Sequence, residues 1–320
     1  MANPSKFLWI DGEMIPYEAA TVHFMTPALH YGLAVFEGIR CYDAEQGPAV
    51  FRLTDHLRRL LDSVQILGLR PFRYRVDDLR AAVHQVILAN EMRSCYVRPL
   101  VFMKEGPLDL NLDSKQASTG IAVWEWGTYL GEKALETGVR MMVSSFARLH
   151  PNVNMTKAKI SGNYVNSVLA KTLAARAGFD EAIMLDPEGM VSECTGENLF
   201  LVRHGVLYTP PRATVLEGIT RDSLITLARD MGREVVEEPI SRDQLYIADE
   251  VFVCGTAAEC VAVAEIDYRT VGGGKMGPIT RELQRAFFQT VRGQGQRSAE
   301  WLDYVPQSEQ VTGGLRARRP

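Results

Sequence analysis

The sequence predicts an α+β fold in two parts, and three observations carry that prediction. Short runs of apolar and β-branched residues bounded by Gly, Pro, Asp and Asn recur along the chain, as strands do. A few longer segments instead repeat apolar residues at helical spacing. The strands come in groups, with the helices beside them, rather than alternating strand by helix as a parallel sheet requires. With 320 residues, the chain has room for about two domains of ordinary size.

Taken in order, FLWIDG and EMIPY read as a hairpin turning at Asp11-Gly12. VFEGIRCYD and PAVFRL read as two strands joined by DAEQGP. Thr54 is expected to cap a helix through DHLRRLLDSVQILG, with Leu57, Leu60, Leu61 and Val64 on one face and Gly68 as its stop. A second helix, VDDLRAAVHQVILANE, leads into the strands CYVRPLVFM and GIAVWEW. The glycine- and charge-rich stretch GTYLGEKALETG, residues 127–138, interrupts the pattern and marks an expected boundary between a small domain at 1–126 and a larger one at 139–305. The second part runs through VRMMVSSFARL, a helix YVNSVLAKTLAARAG stopped by Gly178, and a meander of EAIMLD, MVSECTG, ENLFLV and GVLYTP. LEGITRDSLITLARDMG, EVVEEPI and EVFVCG follow, and the basic residues 306–320 are expected to be a disordered tail.

Composition narrows the function. With 46% hydrophobic and 23% charged residues the chain reads as soluble and globular. A net charge of -4 and a pI near 5.9 argue against a nucleic-acid partner. No apolar run approaches the roughly 18 to 20 residues of a membrane span, and the start of the chain shows no secretory signal. The five cysteines are scattered, odd in number and lack Cys-x-x-Cys spacing, which points to reduced thiols in the cytoplasm. The histidines show no metal-ligand spacing, so no metal is expected, and His30 and His56 read as structural residues.

KAKISGNY, residues 157–164, carries two lysines in a chain with few: 8 of the 35 Lys and Arg residues are lysine. An amine can form a Schiff base or take up a proton, whereas a guanidinium stays charged. In an extended segment Lys157 and Lys159 share a face, so spacing alone leaves both open. Tyr164 opens the following helix. Glu193 stands in VSECTG, where Val191, Glu193 and Thr195 share a strand face; a carboxylate there needs a cationic partner, and Glu197 is its rival. Gly218, Ile219 and Thr220 begin a helix expected to be capped by Thr220 and ended by Gly232, and its free N–H groups offer a phosphate site. Gly255-Thr256-Ala257-Ala258 closes a strand with small residues that leave backbone N–H groups open to an anion. A lysine, a carboxylate and two anion-binding turns together fit pyridoxal 5′-phosphate: the aldehyde takes the amine, the pyridine nitrogen the carboxylate, the phosphate a turn.

ALHYG, VFEGIR, H-x-x-R-L at His56 to Leu60, YVRP, Lys-x-x-Gly-Asn-Tyr, SE-x-x-GENLF, GITR and GTAAE occur in one order, and this set closely resembles the branched-chain amino acid aminotransferases of the fold-type IV pyridoxal phosphate enzymes. The resemblance runs from about Phe7 to Val305. It implies two α/β domains with the active site at their interface, and amino transfer between leucine, isoleucine or valine and 2-oxoglutarate. Its Lys-x-x-Gly-Asn-Tyr register selects Lys159 as the Schiff-base lysine and leaves Lys157 as a neighbouring charge with no assigned role. It also implies Glu193 at the pyridine nitrogen, Tyr164 at the ring hydroxyl, and Arg59, Gly218, Ile219, Thr220 and Thr256 around the phosphate. The substrate carboxylate falls to Tyr96, Thr256 and Ala257, the distal carboxylate of glutamate to Arg98, and the apolar walls to Phe36, Tyr31, Trp126, Tyr129 and Tyr164. Tyr31 is implied to come from a partner subunit, hence at least a homodimer. Two departures stand out: the loop KEGPLDLNL at 104–112, and Glu217 where some relatives have proline. A D-amino acid transaminase, an aminodeoxychorismate lyase of the same fold type and a non-catalytic cofactor-binding protein are the competing readings; YVRP favours the branched-chain enzyme.

Overall fold

The computed structural model describes residues 5–127, 130–131 and 133–306, and among them the chain forms two sheets. The first is antiparallel throughout. It contains β1 (Phe7–Ile10), β2 (Glu13–Pro16), β3 (Ala34–Phe36), β4 (Ile39–Ala44), β5 (Gly47–Phe51), β6 (Cys95–Glu105) and β7 (Gln116–Trp124). The second is mixed, built from β8 (Val139–Val143), β9 (Glu181–Leu185), β10 (Val191–Cys194), β11 (Asn198–Arg203), β12 (Val206–Thr209), β13 (Val235–Glu237), β14 (Glu250–Gly255), β15 (Glu259–Ile266) and the short β16 (Arg269–Thr270). A last strand, β17 (Leu302–Tyr304), returns to pair with β5, so the end of the chain supplies an edge of the first sheet.

The β1–β2 hairpin turns where expected, with Asp11 at φ 51 and Gly12 at φ 105. The Asp11 carboxylate accepts from the Thr119 N–H at 2.9 Å and the Ser118 hydroxyl at 2.6 Å, which ties the turn to β7. VFEGIR is not one continuous strand. β3 and β4 run along the same partner, β6, and break at Glu37-Gly38. The break sets the Glu37 carboxylate inside the protein, fully buried.

Three helices accompany the first sheet: α1 (Pro27–Tyr31) lies at one end, and α2 (Leu53–Leu67) packs with α3 (Val76–Ala89) on the core. Leu57, Leu60 and Val64 of α2 are buried, as their spacing predicts. The cap differs from expectation. α2 starts two residues earlier, at Leu53 behind Arg52 at φ 48, and the Thr54 hydroxyl instead accepts from Arg80 Nη2 at 2.5 Å, linking α2 to α3. Gly68 ends the helix at φ 76.

In the second part α4 (Ala134–Thr137) precedes β8, and α5 (Tyr164–Arg176) follows the lysine segment and stops before Gly178. α6 (Ile219–Asp230) has Gly218 at its N-cap, not Thr220, which lies in the first turn. Then come α7 (Arg242–Tyr246), α8 (Pro278–Val291) and α9 (Ser298–Trp301). One apolar cluster joins the two halves: Ala44, Ala49 and Phe51 from the first sheet pack with Phe200, Phe252, Leu224, Phe287 and Trp301. The interface between the sheets is therefore a true core, and it fixes the walls of the site. Among the described residues, no helix is long and apolar enough to cross a membrane.

Candidate active site

A cavity of about 540 Å³ opens where the ends of the two sheets meet. Phe36, Arg59, Tyr96, Arg98, Trp126, Lys159, Tyr164, Glu193, Gly218, Ile219, Thr220, Thr256 and Ala257 all line it. Tyr31 does not: it ends α1, 41% exposed, with its hydroxyl donating to the Leu108 carbonyl at 2.8 Å. Tyr129 lies outside the described residues.

The two lysines separate in space. The chain turns at Thr156-Lys157 and is not extended there, so equal parity does not give a shared face. Lys159 Nζ donates to the Tyr164 hydroxyl at 2.6 Å inside the cavity. Its backbone is docked on the first half of the protein: the Lys159 N–H donates to Ser63 Oγ at 3.0 Å, and its carbonyl accepts from the Phe36 N–H at 3.0 Å. Lys157 points away, toward residues 212–217, where its amine donates to the carbonyls of Arg212 and Val215. That contact explains a lysine for which the sequence offers no role.

Arg59 comes from the face of α2 that also carries His56 and Ser63. Its guanidinium grips Glu37 with two bonds, Nε to Oε1 at 2.7 Å and Nη2 to Oε2 at 2.9 Å, while Nη1 reaches the Glu217 carbonyl at 2.7 Å. His56 Nδ1 lies 2.7 Å from Glu37 Oε2 and does not line the cavity, so its role is support. Burial alone would raise the Glu37 carboxyl; Arg59 and His56 outweigh it and hold the group well below the usual carboxylate range. Sequence reasoning missed Glu37. The one available signal was an acid inside the apolar run VFEGIR, read together with His-x-x-Arg on a nearby helix.

Glu193 and Glu197 are both buried, and their surroundings differ. Glu193 Oε1 accepts from Arg148 Nε at 2.6 Å, and Oε2 accepts from the Leu216 N–H at 3.1 Å and from Asn198 Nδ2 at 3.3 Å. Arg148 is the cationic partner that a buried carboxylate on this strand requires, and sequence did not name it. Burial and the neighbouring Glu181 carboxylate push Glu197 up to about 8, which favours its neutral form and makes Glu193, held by Arg148, the better placed anion. The expected face of Val191, Glu193 and Thr195 is interrupted. Pairing with β9 shifts between Val191 and Cys194, so Val191 packs into the core while Glu193 and Thr195 face the cavity.

Two glycines are required by close approach. A Cβ on Gly218 would lie 1.9 Å from Asn198 Oδ1, and one on Gly38 would lie 1.9 Å from the Tyr96 hydroxyl. The first lets the start of α6 sit beside the Glu193 network. The second lets Tyr96 reach the cavity. Opposite them, the Arg98 guanidinium stacks 4.5 Å from the Phe36 ring centre, 5.4 Å from Tyr96 and 5.6 Å from Trp124. Stacking occupies its faces and leaves its N–H edge available. Arg40, by contrast, is engaged with Glu259 at 3.1 Å and the Gly127 carbonyl at 2.6 Å.

Residues 34–266 match the amino-transferase class IV family, and the chain belongs to that family. It is 45% identical over 305 residues to a branched-chain-amino-acid aminotransferase of Pseudomonas aeruginosa, covering 95% of this chain and 99% of that one. Among solved structures it superposes on the Escherichia coli branched-chain amino acid aminotransferase with TM-score 0.92 and 46% identity, covering 94% of this chain and 100% of the other. The branched-chain amino acid aminotransferase from Thermobaculum terrenum in its PLP form gives TM-score 0.88 and 37% identity, with 95% of this chain and 99% of that one covered.

Proposed function

We propose that this cavity transfers the amino group between L-leucine, L-isoleucine or L-valine and 2-oxoglutarate, with pyridoxal 5′-phosphate as cofactor. The observation that carries the reading is one cavity holding an amine, Lys159 Nζ, 2.6 Å from Tyr164 Oη, with Glu193 and the N-terminus of α6 also on its wall. The residues fit the cofactor. Arg148 Nη1, Arg98 Nε and Asn163 Oδ1 are buried in residues lining the cavity and lack hydrogen-bond partners among the described residues, so polar groups there await a ligand.

Bound pyridoxal phosphate supplies the carbonyl that accepts the amino group and a ring that stabilises negative charge at the substrate α-carbon. Lys159 is the covalent anchor and the amine that moves the α-proton. Tyr164, bonded to Lys159, orients the amine and the ring hydroxyl. Glu193, fixed by Arg148, Asn198 and Leu216, keeps the ring nitrogen protonated. Arg59, held by Glu37, together with Gly218, Ile219, Thr220 and Thr256, receives the phosphate at a helix N-terminus. Tyr96 and the N–H groups of Thr256 and Ala257 take the substrate carboxylate. Phe36 and Trp126 pack on a branched side chain, and Arg98 takes the distal carboxylate of glutamate at its free edge.

We read the active unit as at least a homodimer, since Tyr31 does not line its own cavity and is exposed, as are Phe24, Leu29 and Leu110. All five cysteines are buried free thiols, which fits the reducing cytoplasm. The two domains are read as 1–126 and 139–305, with Leu302–Tyr304 joined to the first sheet. The test is a pair of separate half-reactions: the reconstituted enzyme with leucine, then the aminated cofactor form with 2-oxoglutarate. Cofactor spectra that convert with D-alanine and not with L-leucine would overturn the reading.

A further inference from the structure

Residues 212–217 form a strap of a short turn, Arg212–Thr214, and an irregular run into α6. The strap has no strand partner among the described residues, so side chains must satisfy its carbonyls. They do so in sequence. Ser192 Oγ donates to the Thr214 carbonyl at 3.1 Å, Asn198 Nδ2 to that of Leu216 at 3.1 Å, and Arg59 Nη1 to that of Glu217 at 2.7 Å. Lys157 serves two more: its amine donates to the carbonyl of Arg212 and to that of Val215 at 3.2 Å, and it pairs with the Glu217 carboxylate at 3.1 Å.

We infer that Lys157 is a positioning residue for the phosphate end of the site, a role that rests on the reading of Gly218–Thr220 as the phosphate cradle. Lysine suits this position. Its compact ammonium has three donors that can point at two carbonyls and a carboxylate from different directions, whereas a planar guanidinium fork cannot. The strap ends at Glu217, immediately before the N–H groups of Ile219 and Thr220, and its Leu216 N–H also holds Glu193. One amine therefore couples the turn that carries Lys159 to the start of the phosphate helix, while Glu193 keeps its own bonds to Arg148 and Asn198. Glu217 complements it: the last residue of the strap is an acid whose carboxylate pairs with Lys157. The Lys157 side chain is 37% exposed and that of Glu217 51%, so the carbonyl bonds carry more of the effect than the ion pair.

The test compares equilibrium binding of pyridoxal phosphate and of pyridoxal, which lacks the phosphate, to the apo form of the full chain. Lys157→Met keeps the stem and removes the charge. It should weaken pyridoxal phosphate binding roughly tenfold and leave pyridoxal binding within about twofold, narrowing the ratio of the two affinities. Glu217→Gln should cost less than about threefold. Lys157→Gln retains two N–H donors without the charge, should fall between wild type and Lys157→Met, and serves if the methionine variant does not fold. Equal loss for both ligands, or an unchanged ratio in both Lys157 variants, overturns the inference. Arg59→Met is the separate arm. If it leaves the ratio unchanged, the phosphate reading itself fails; if it narrows the ratio while the Lys157 variants do not, only the positioning role fails.

Discussion

The two walls of the cavity hold their targets by different physics. The wall from the second sheet works through directional bonds: Glu193 is fixed by three donors, and α6 begins at Gly218 with its first N–H groups facing inward. The wall from the first sheet works through faces. Tyr96 packs at a tilt against Trp126 and Trp124, with ring centres 4.6 Å and 5.1 Å apart, and the Arg98 guanidinium lies over the Phe36 ring at 4.5 Å. A cofactor that stays through every cycle is best held by polar contacts that fix one orientation. Two substrates of opposite polarity are better served by a surface that is apolar across its rings and cationic at one edge. Arg59 and Lys159 show how the walls are kept in register, since each is anchored on the first half and reaches toward the second.

Removing the group at the junction should have the largest effect. On the proposed reading, Lys159→Ala loses both the covalent anchor and the amine that moves the proton; the proton role alone is worth roughly 10²–10⁴ in rate. Turnover should vanish and the visible band of bound cofactor should shift, while Lys157→Ala, with cofactor in excess, should keep most of its activity. Equal loss in the two variants would break the assignment of Lys159.

Next in size is the polar wall. Glu193→Gln keeps the shape and removes the charge proposed to face the ring nitrogen, so single-turnover conversion of leucine should slow on the order of a hundredfold, as for loss of one preorganised electrostatic contact. The variant should still retain cofactor. An unchanged single-turnover rate would show that the carboxylate does not act on the ring.

The aromatic wall should respond selectively. Arg98→Ala removes one charged hydrogen-bonding partner, worth roughly 1.5–3 kcal/mol, or about ten- to a hundredfold in affinity. KM for 2-oxoglutarate should rise by that factor, and the leucine half-reaction should change far less. If both fall together, Arg98 serves the packing of Phe36 and Tyr96, and the comparison of the walls loses its main support. Arg40 is no substitute, because it does not line the cavity and its Nη1 and Nη2 are engaged by Glu259 and Gly127.

The sequence made local features legible because their causes are local. Gly68 stops α2, Asp11-Gly12 turns the first hairpin, and the amphipathic spacing of Leu57, Leu60 and Val64 buries one face of α2, all within a few residues. Motif order located most of the cavity lining. What stayed hidden was pairing at a distance. Glu37 meets Arg59 across 22 positions, Arg148 meets Glu193 across 45, and Lys157 meets Arg212 across 55. No local pattern marks such partners. The two misplaced caps have the same origin: Thr54 is drawn away by Arg80, and Gly218 takes the cap of α6 because Asn198 leaves no room for a Cβ.

The smallest effect on turnover is expected at Glu197, and it sharpens the contrast with Glu193 four residues earlier. Its carboxyl is pushed from an ordinary 4.5 to about 8 by burial and by Glu181, which itself accepts from Lys171 at 2.6 Å and from Thr195 Oγ1 at 2.7 Å. At pH 7 the native group is therefore protonated, and Glu197→Gln replaces one neutral hydrogen-bonding group with another; activity should stay within about threefold of wild type, as expected when no charge is removed. Stability should separate the two proteins as pH rises. Between about 4.5 and 8 the folded state keeps a proton that the unfolded chain has lost, so wild type loses stability as pH rises through that window. The glutamine variant has no such proton to lose. Its melting temperature should match wild type near pH 5 and exceed it by several degrees above pH 8, a gap corresponding to a difference on the order of a few kcal/mol. Melting curves that stay parallel from pH 5 to 9 would mean that Glu197 is ionised like its neighbour, and that burial beside Glu181 does not distinguish the two carboxylates.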